Sequence, residues 1–322
     1  MQHGVLNLLK PPGMTSHDAV AFVRRVLKEK RVGHTGTLDP AAAGVLPICI
    51  GQATRLVEDL QAGTKHYIAE ALFGRETDSG DLLGQTVAEC DASALDLEMV
   101  RAVIDQFRGE IEQTPPLHSA IKVGGQKLYD LARQGIEVEI PTRRVTIPHL
   151  HVSRWQSGEA PRAMLDIECS GGTYIRSLVR DIGRACGSAA TMSFLLRNRS
   201  GLFQLNDAVT PEEFEREPRL ISIHDILNRL SLGTTVNDSA AFSLWQGKRL
   251  ESIGFAPLPL AERKKQEHEN SERENRPFEM RRLRAEDGPI FVQNEAGTLL
   301  ALASREGGMW KADKVFDLRE SE

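Results

Sequence analysis

Residues Gly4 to Leu9 are apolar at nearly every position, too short a run for a helix, and Pro11-Pro12-Gly13 closes it. This predicts a buried strand ending in a turn. The period then changes. Val20, Val23 and Leu27 recur at helical spacing, Thr15 or Ser16 is placed to cap the first turn, and Asp18 adds negative charge there. Arg24, Arg25, Lys28 and Lys30 fall on the outer face of that helix, a pattern of solvated surface. Lys65–Gly74 ("KHYIAEALFG") alternates as a half-buried strand does, and Thr77–Gly84 is a turn-rich loop. A helix is predicted over about Leu97 to Phe107, ended by Gly109 and Pro115-Pro116, and a short one over "KLYDLARQG", stopped by Gly135. The segments "VEIPTRRVTIPHLHVSRW" and "RAMLDIECSGG" predict strands. "TYIRSLVRDIGRACG" predicts a helix with Ile175, Leu178, Val179 and Ile182 on one face.

Strands and helices are mixed without a regular βαβ alternation, and neither GxGxxG nor a P-loop is present. The expected class is α+β, a mixed but mainly antiparallel sheet flanked by helices. Thr210–Leu220 predicts a helix leading into a connection. From about Thr234 short strands and Gly turns predict a small β-rich module, so the expected division is 1–232 and 233–322. Inside that module, residues 261–287 carry eight Lys/Arg, eight Asp/Glu and almost no core formers, which predicts a charged, flexible insertion.

Size and charge narrow the picture only a little. A chain of 322 residues is long enough for one large domain and one small one. The formal net charge of -5 argues mildly against a nucleic-acid binder but leaves room for a basic groove on an acidic surface. Cys49, Cys90, Cys169 and Cys186 have neither CxxC nor metal-ligand spacing, and free buried thiols in a reducing compartment are expected. No signal-peptide pattern or apolar run of the ~18–20 residues needed to span a membrane is present, so a cytoplasmic protein without membrane contact is expected.

The candidate chemistry centres on "GHTGTLDP" (Gly33–Pro40), a lone carboxylate in a Gly/Thr/Pro-rich turn. On local spacing alone Asp39 is a turn residue. A metal would need neighbouring ligands, and only His34 is near, so no metal is expected. Three further stretches change the weight. "KPPGMTS" puts Lys10, Gly and hydroxyls on a turn suited to holding a phosphate or bracing another loop. "KHY" places Tyr67 on a strand soon after the acid. "CSGGTYIR" runs from a strand through a Gly turn into a helix carrying Arg176.

Taken together, "KPPGMTS", "GHTGTLDP" with "GVLP", "QTPPLHSAIKVGGQKLYDLARQG" and "CSGGTYIRSLVRDIG" resemble the TruB family of tRNA pseudouridine synthases in order and spacing, over roughly residues 4 to 210. The tail resembles the PUA-like RNA-binding module of that family. The resemblance implies the pseudouridine synthase fold and isomerisation of the uridine at position 55 in the TΨC arm of tRNA, with no cofactor. It implies a monomer whose partner is the TΨC stem-loop, with no obligatory protein partner. It places the essential aspartate at Asp39, as nucleophile, with Tyr67 and Arg176 as the other catalytic residues. His34 would help open the RNA loop and fill the place of the extruded base, and Leu195 would pack near the site. Lys10, Gly36, Thr37 and Tyr174 are the remaining expected substrate contacts.

The reaction explains why one acid suffices. Breaking the N1–C1′ bond makes the sugar carbon oxocarbenium-like, as in glycoside hydrolysis, but uracil leaves as a fairly stable anion and is rejoined through C5. No water has to be activated, and the apolar run Ala41–Ile50 would help keep it out. Arg176 would hold the carboxylate ionised and oriented, and Tyr67 would stack on the flipped base and serve in proton transfer. Whether the intermediate is a covalent adduct or a glycal stays open. The chain departs from the family pattern at Leu9, at Ala41 and Ala43, at His118, and at Leu196, which leaves the "LRR" segment one arginine short. These departures bear on RNA affinity and positioning. Two other functions are compatible: an RNA-folding chaperone, and a guide-RNA-dependent enzyme, against which the segment between Asp78 and Gly135 argues.

Overall fold

The fold is that of a computed structural model and is described for residues 2–116, 122–123, 126–127, 140–230, 233–251, 253, 290–294, 296 and 298–317. The chain runs β1 (Gly4–Lys10), α1 (Ser16–Leu27), β2 (Val32–His34), β3 (Ala43–Ile50), α2 (Val57–Ala62), β4 (Lys65–Phe73), β5 (Arg75–Thr77) and β6 (Thr86–Glu89). It continues through α3 (Leu97–Ile104), β7 (Gly109–Gln113), the short β8 (Lys122–Val123) and β9 (Gln126–Lys127), β10 (Arg143–Ile147), β11 (His149–Gln156), β12 (Arg162–Cys169), α4 (Ile175–Ala185) and β13 (Ala190–Ser200). Then come β14 (Phe203–Gln204), α5 (Pro211–Arg216), α6 (Ile223–Leu230), β15 (Gly233–Val236), α7 (Asp238–Trp245), β16 (Ile290–Asn294), β17 (Leu299–Glu306) and β18 (Met309–Val315).

The large sheet has the order β1-β3-β13-β4-β12-β11, with β2 added to β3 and β14 to β13. Every pairing in it is antiparallel except β13 with β3. The α+β class is therefore as the sequence predicts. Alternation along β4 buries Lys65, Tyr67, Ala69, Ala71 and Phe73 on one face, and β12 buries Ala163, Leu165, Ile167 and Cys169 beside them. α4 lays Ile175, Leu178, Val179 and Ile182 on that face, and α3 adds Val100 and Ile104. α1 starts at a full capping box, Thr15 with Asp18, and buries Val20 and Val23 against Leu6, Leu8, Leu46 and Ile48.

The last four strands form a second sheet, β15-β16-β17-β18, with α7 against it. Phe291, Leu299, Leu302 and Phe316 of this part share a core with Val5, Val45, Leu56, Ile226 and Leu227. An ion pair from Lys314 to Asp59 crosses the same junction.

Three expectations are corrected in detail. The helix predicted to Phe107 is α-helical only to Ile104, and Asp105–Phe107 form a tighter 3-10 turn leading to Gly109 at φ +83°. The period-2 pattern missed β13, because bulges at Met192/Phe194 and Arg197/Arg199 break its alternation. All four cysteines are free, but only Cys49 and Cys169 are buried; Cys90, just past the exposed edge strand β6, is exposed. The predicted helix over "KLYDLARQG", His118 and the charged 261–287 segment lie outside the described residues, apart from Lys127 in β9.

Gly183 decides how closely α4 approaches β13. A Cβ there would sit 2.5 Å from the Ala190 Cβ and 2.7 Å from its backbone nitrogen. Alanine normally favours a helix by ~1 kcal/mol over glycine. Here the overlap outweighs that gain, and Gly183→Ala is expected to lose about 1–3 kcal/mol net. Urea unfolding checks this: the midpoint should fall, and a rise would show that the contact is not limiting.

Candidate active site

β2 and β3 pair directly, so residues 35–42 form a hairpin loop far longer than the usual two to five residues. Such a loop holds its shape only if other elements tie it down. The Ser16 hydroxyl, at the start of α1, donates to the Leu38 carbonyl at 3.0 Å and accepts from the Leu38 N–H at 2.9 Å. Gly13 N–H donates to the Pro40 carbonyl at 2.8 Å. The Lys10 ammonium donates to the carbonyls of Pro11 at 2.8 Å, Met14 at 2.7 Å and Pro40 at 3.4 Å, which locks the "KPPGMTS" turn to the loop. Leu38 and Ala42 are buried, and Leu38 shares a cluster with Tyr67 and Leu195. Asp39 is thus fixed between two buried neighbours, with its own side chain 25% exposed.

Arg176 meets it from the first turn of α4. Its Nε lies 2.9 Å from Asp39 Oδ2, and its Nη2 donates to Oδ1 at 3.1 Å, a two-point contact that sets direction as well as charge. The third corner is also used, since Nη1 donates to the Ser79 carbonyl at 2.8 Å. The loop presenting Ser79 is held by Asp81, whose carboxylate accepts from the Ser79 hydroxyl at 2.6 Å and the Leu83 N–H at 3.1 Å. The start of α4 is itself clamped. The Gln113 amide accepts from the Tyr174 N–H at 2.7 Å and donates to the Tyr174 carbonyl at 3.0 Å, and the Ser177 hydroxyl donates to the Thr114 carbonyl at 2.8 Å.

The other predicted residues are unequally placed. Tyr67 sits on β4, opposite Arg197 of β13 and Ile167 of β12, and is 8% exposed. Burial raises its phenol pKa, while the Arg197 guanidinium beside it pulls the other way. Leu195 lies opposite Ala69 and packs in the same cluster as Tyr67. His34 closes β2. Its Nδ1 accepts from the Gly36 N–H at 3.2 Å, and burial together with the charges of His17 and Arg197 lowers its pKa, so it is neutral at neutral pH. Lys10 is wholly buried, and that burial lowers its ammonium to about 8 despite the opposing pull of Asp39. Gly36, at φ +139°, and exposed Thr37 present their carbonyls to Arg197. Tyr174 lies under the Arg143 guanidinium, 5.4 Å from its ring centre, and enters the site through its backbone.

Sequence reasoning missed Ser16, Ser79, Asp81, Gln113 and Arg197. Ser16, Ser79 and Gln113 act on or through backbone groups, which leave no signal in residue type, and Asp81 acts by holding Ser79. Arg197 stood in a segment noted only for lacking an arginine. Among the described residues, no group of three or more His, Cys, Asp or Glu side chains could hold a metal ion, and no helix is long and apolar enough to cross a membrane.

The architecture is shared with proteins of known structure. A chain in the crystal structure of a Cbf5-Nop10-Gar1 complex matches with a TM-score of 0.65 and 25% identity, over 98% of this chain and 86% of that one. A chain of the archaeal box H/ACA sRNP Nop10-Cbf5 complex matches in fold with a TM-score of 0.63, at 24% identity, over 99% and 88%. In sequence, residues 24–175 match the N-terminal domain model of the TruB family pseudouridylate synthases. The tRNA pseudouridine synthase B of Symbiobacterium thermophilum is 55% identical over 210 residues, 65% of this chain and 70% of that protein. That of Heliobacterium modesticaldum is 51% identical over 257 residues, 79% and 84%. The chain belongs to the TruB family of pseudouridine synthases.

The Ser16 contact offers a clean probe of how firmly the loop is held. Ser16→Ala leaves both backbone groups of Leu38 without that partner in a dry setting. The expected cost is about 1–3 kcal/mol of stability, with faster hydrogen exchange at the Leu38 amide. Unchanged exchange there would show that the loop holds itself.

Proposed function

We propose that this chain isomerises one uridine of tRNA, at position 55 in the TΨC arm, to pseudouridine, acting as a single chain in the cytoplasm without metal or cofactor. The observation that carries this reading is Asp39. It is a carboxylate with three quarters of its side chain covered, held at both oxygens by Arg176, in a chain of the TruB family. The target base lies inside a folded RNA loop and has to be extruded before anything can reach C1′. His34, neutral and at the mouth of the loop, takes the place of the departing base. Tyr67 stacks on the flipped uracil, and Leu195 packs beneath it. Lys10, Gly36, Thr37 and Tyr174 belong to the frame around that pocket, and residues 233–322 form a PUA-like RNA-binding domain that holds the rest of the tRNA.

The chemistry follows from what the residues can do. Asp39 meets C1′ as nucleophile while the N1–C1′ bond breaks and its electron pair leaves on uracil. The base stays in the pocket and turns until C5 faces C1′. The C5–C1′ bond then forms and Asp39 is released, N1 takes up a proton, and the proton on C5 leaves through the Tyr67 phenol. Nothing is lost to solvent except exchangeable protons, so a second carboxylate to activate water has no role.

The test is tritium release from a bare TΨC stem-loop carrying 5-tritiated uridine, with purified chain and no other component. Wild type should release it, and Asp39→Asn should fall by at least ~10⁴-fold while still binding the RNA. An Asn variant at the wild-type rate would overturn the role of Asp39. No release by wild type on the bare stem-loop would point instead to an enzyme that needs a guide RNA.

A further inference from the structure

Arg197 is among the largest fully buried side chains of the protein, at 2% exposure. Its guanidinium donates from Nε to the Val45 carbonyl at 2.7 Å, from Nη1 to the Thr37 carbonyl at 3.3 Å and from Nη2 to the Gly36 carbonyl at 3.2 Å. Among the described residues no carboxylate lies within ion-pair distance of it. A buried cation answered by carbonyl dipoles and the Tyr67 phenol, and by no carboxylate, is a poor choice for stability, since an apolar side chain of similar volume generally serves as well. Its position is more informative than its cost. Gly36 and Thr37 lie before Asp39 and Val45 lies after it, so one planar fork grips both legs of the loop. Gly44 is part of the same grip. At φ +122° it lets β3 run so close to β13 that a Cβ would sit 2.3 Å from the Arg197 carbonyl oxygen. The strand register then puts Tyr67 directly across from Arg197 on the other side.

We propose that Arg197 is a positioning residue for the isomerisation: one buried guanidinium fixes the Asp39 loop to the sheet and lays its charge on the Tyr67 phenol. The inference rests on the function proposed above. Tyr67 is faced by Arg197 from β13, by Cys169 from β12 and by Asp39 from the loop. Of these, Arg197 is the only one that favours the ionised phenol, and burial works against it. The same charge reaches His34 and Lys10, which it pushes toward their neutral forms, and Lys65 on β4. Arg197 acts through Asp39 and Tyr67, holding the loop of the one by its backbone and the phenol of the other by its charge.

Two substitutions separate its two tasks. Arg197→Lys keeps a cation but loses the fork, and Arg197→Met loses both. Single-turnover rates and RNA affinity are measured on the TΨC stem-loop, folding is checked by circular dichroism, and Tyr67 is followed by NMR of ¹³Cζ-labelled tyrosine, of which the chain has three. Arg197→Lys is expected to slow turnover by about 10²-fold with RNA affinity within about threefold of wild type and Tyr67 titrating as in wild type. Arg197→Met is expected to add an upward displacement of the Tyr67 titration. Tyr67 titrating alike in wild type and the Met variant would overturn the proposal, as would a Lys variant turning over within threefold of wild type. Should the Met variant not fold, the rate of the Lys variant decides. Wild-type protein that makes no pseudouridine would refute the proposed function and this role with it, whereas wild-type turnover with an unaffected Lys variant would refute this role alone.

Discussion

Asp39 has three quarters of its side-chain surface covered, and the group that meets its charge and sets its direction is Arg176. The contact uses two nitrogens on two oxygens, so it constrains angle as well as distance. Much of the surrounding structure reads as the cost of holding those two groups in place. Asp39 rides on a long hairpin loop from the β2–β3 side of the sheet. Arg176 arrives on a helix that follows β12, at the far side. Ser79, whose carbonyl takes the remaining guanidinium nitrogen, belongs to a third segment. Three segments distant in sequence must agree to within a few tenths of an ångström, and β13 is what aligns them. It is bonded to β3 on one side and β4 on the other, so the loop and Tyr67 are referred to a single strand.

The loop is anchored in an unusual currency. Lys10 and Arg197, both buried, bind main-chain carbonyls and not acids. Carbonyl anchoring adds no second acid beside Asp39, consistent with a reaction that returns its own leaving group and has no water to activate.

Much of this was legible in the residues. The α+β class followed from mixed periods without βαβ alternation, and β1, α1, β4, β11, β12 and α4 lie where apolar spacing put them. Asp39 and Arg176 were paired on family resemblance, 137 positions apart; spacing alone would have left Asp39 as a turn. What stayed hidden has a common physical cause. β13 is interrupted by two bulges, so no two-residue period runs through it. Ser16, Ser79 and Gln113 act through backbone amides and carbonyls, for which any sequence offers a candidate at every residue. Arg197 looked like one more arginine, because burial is a property of the sheet around it and not of its neighbours in the chain.

The central claim is that Asp39 works only as one half of a pair. Its most direct test is Arg176→Met, with single-turnover conversion and affinity for the TΨC stem-loop measured on the same preparation. The account predicts a rate at least ~10³-fold below wild type with RNA affinity changed by no more than about threefold. A folded Arg176→Met protein converting the stem-loop within tenfold of the wild-type rate would show that Asp39 needs no partner, and would contradict it.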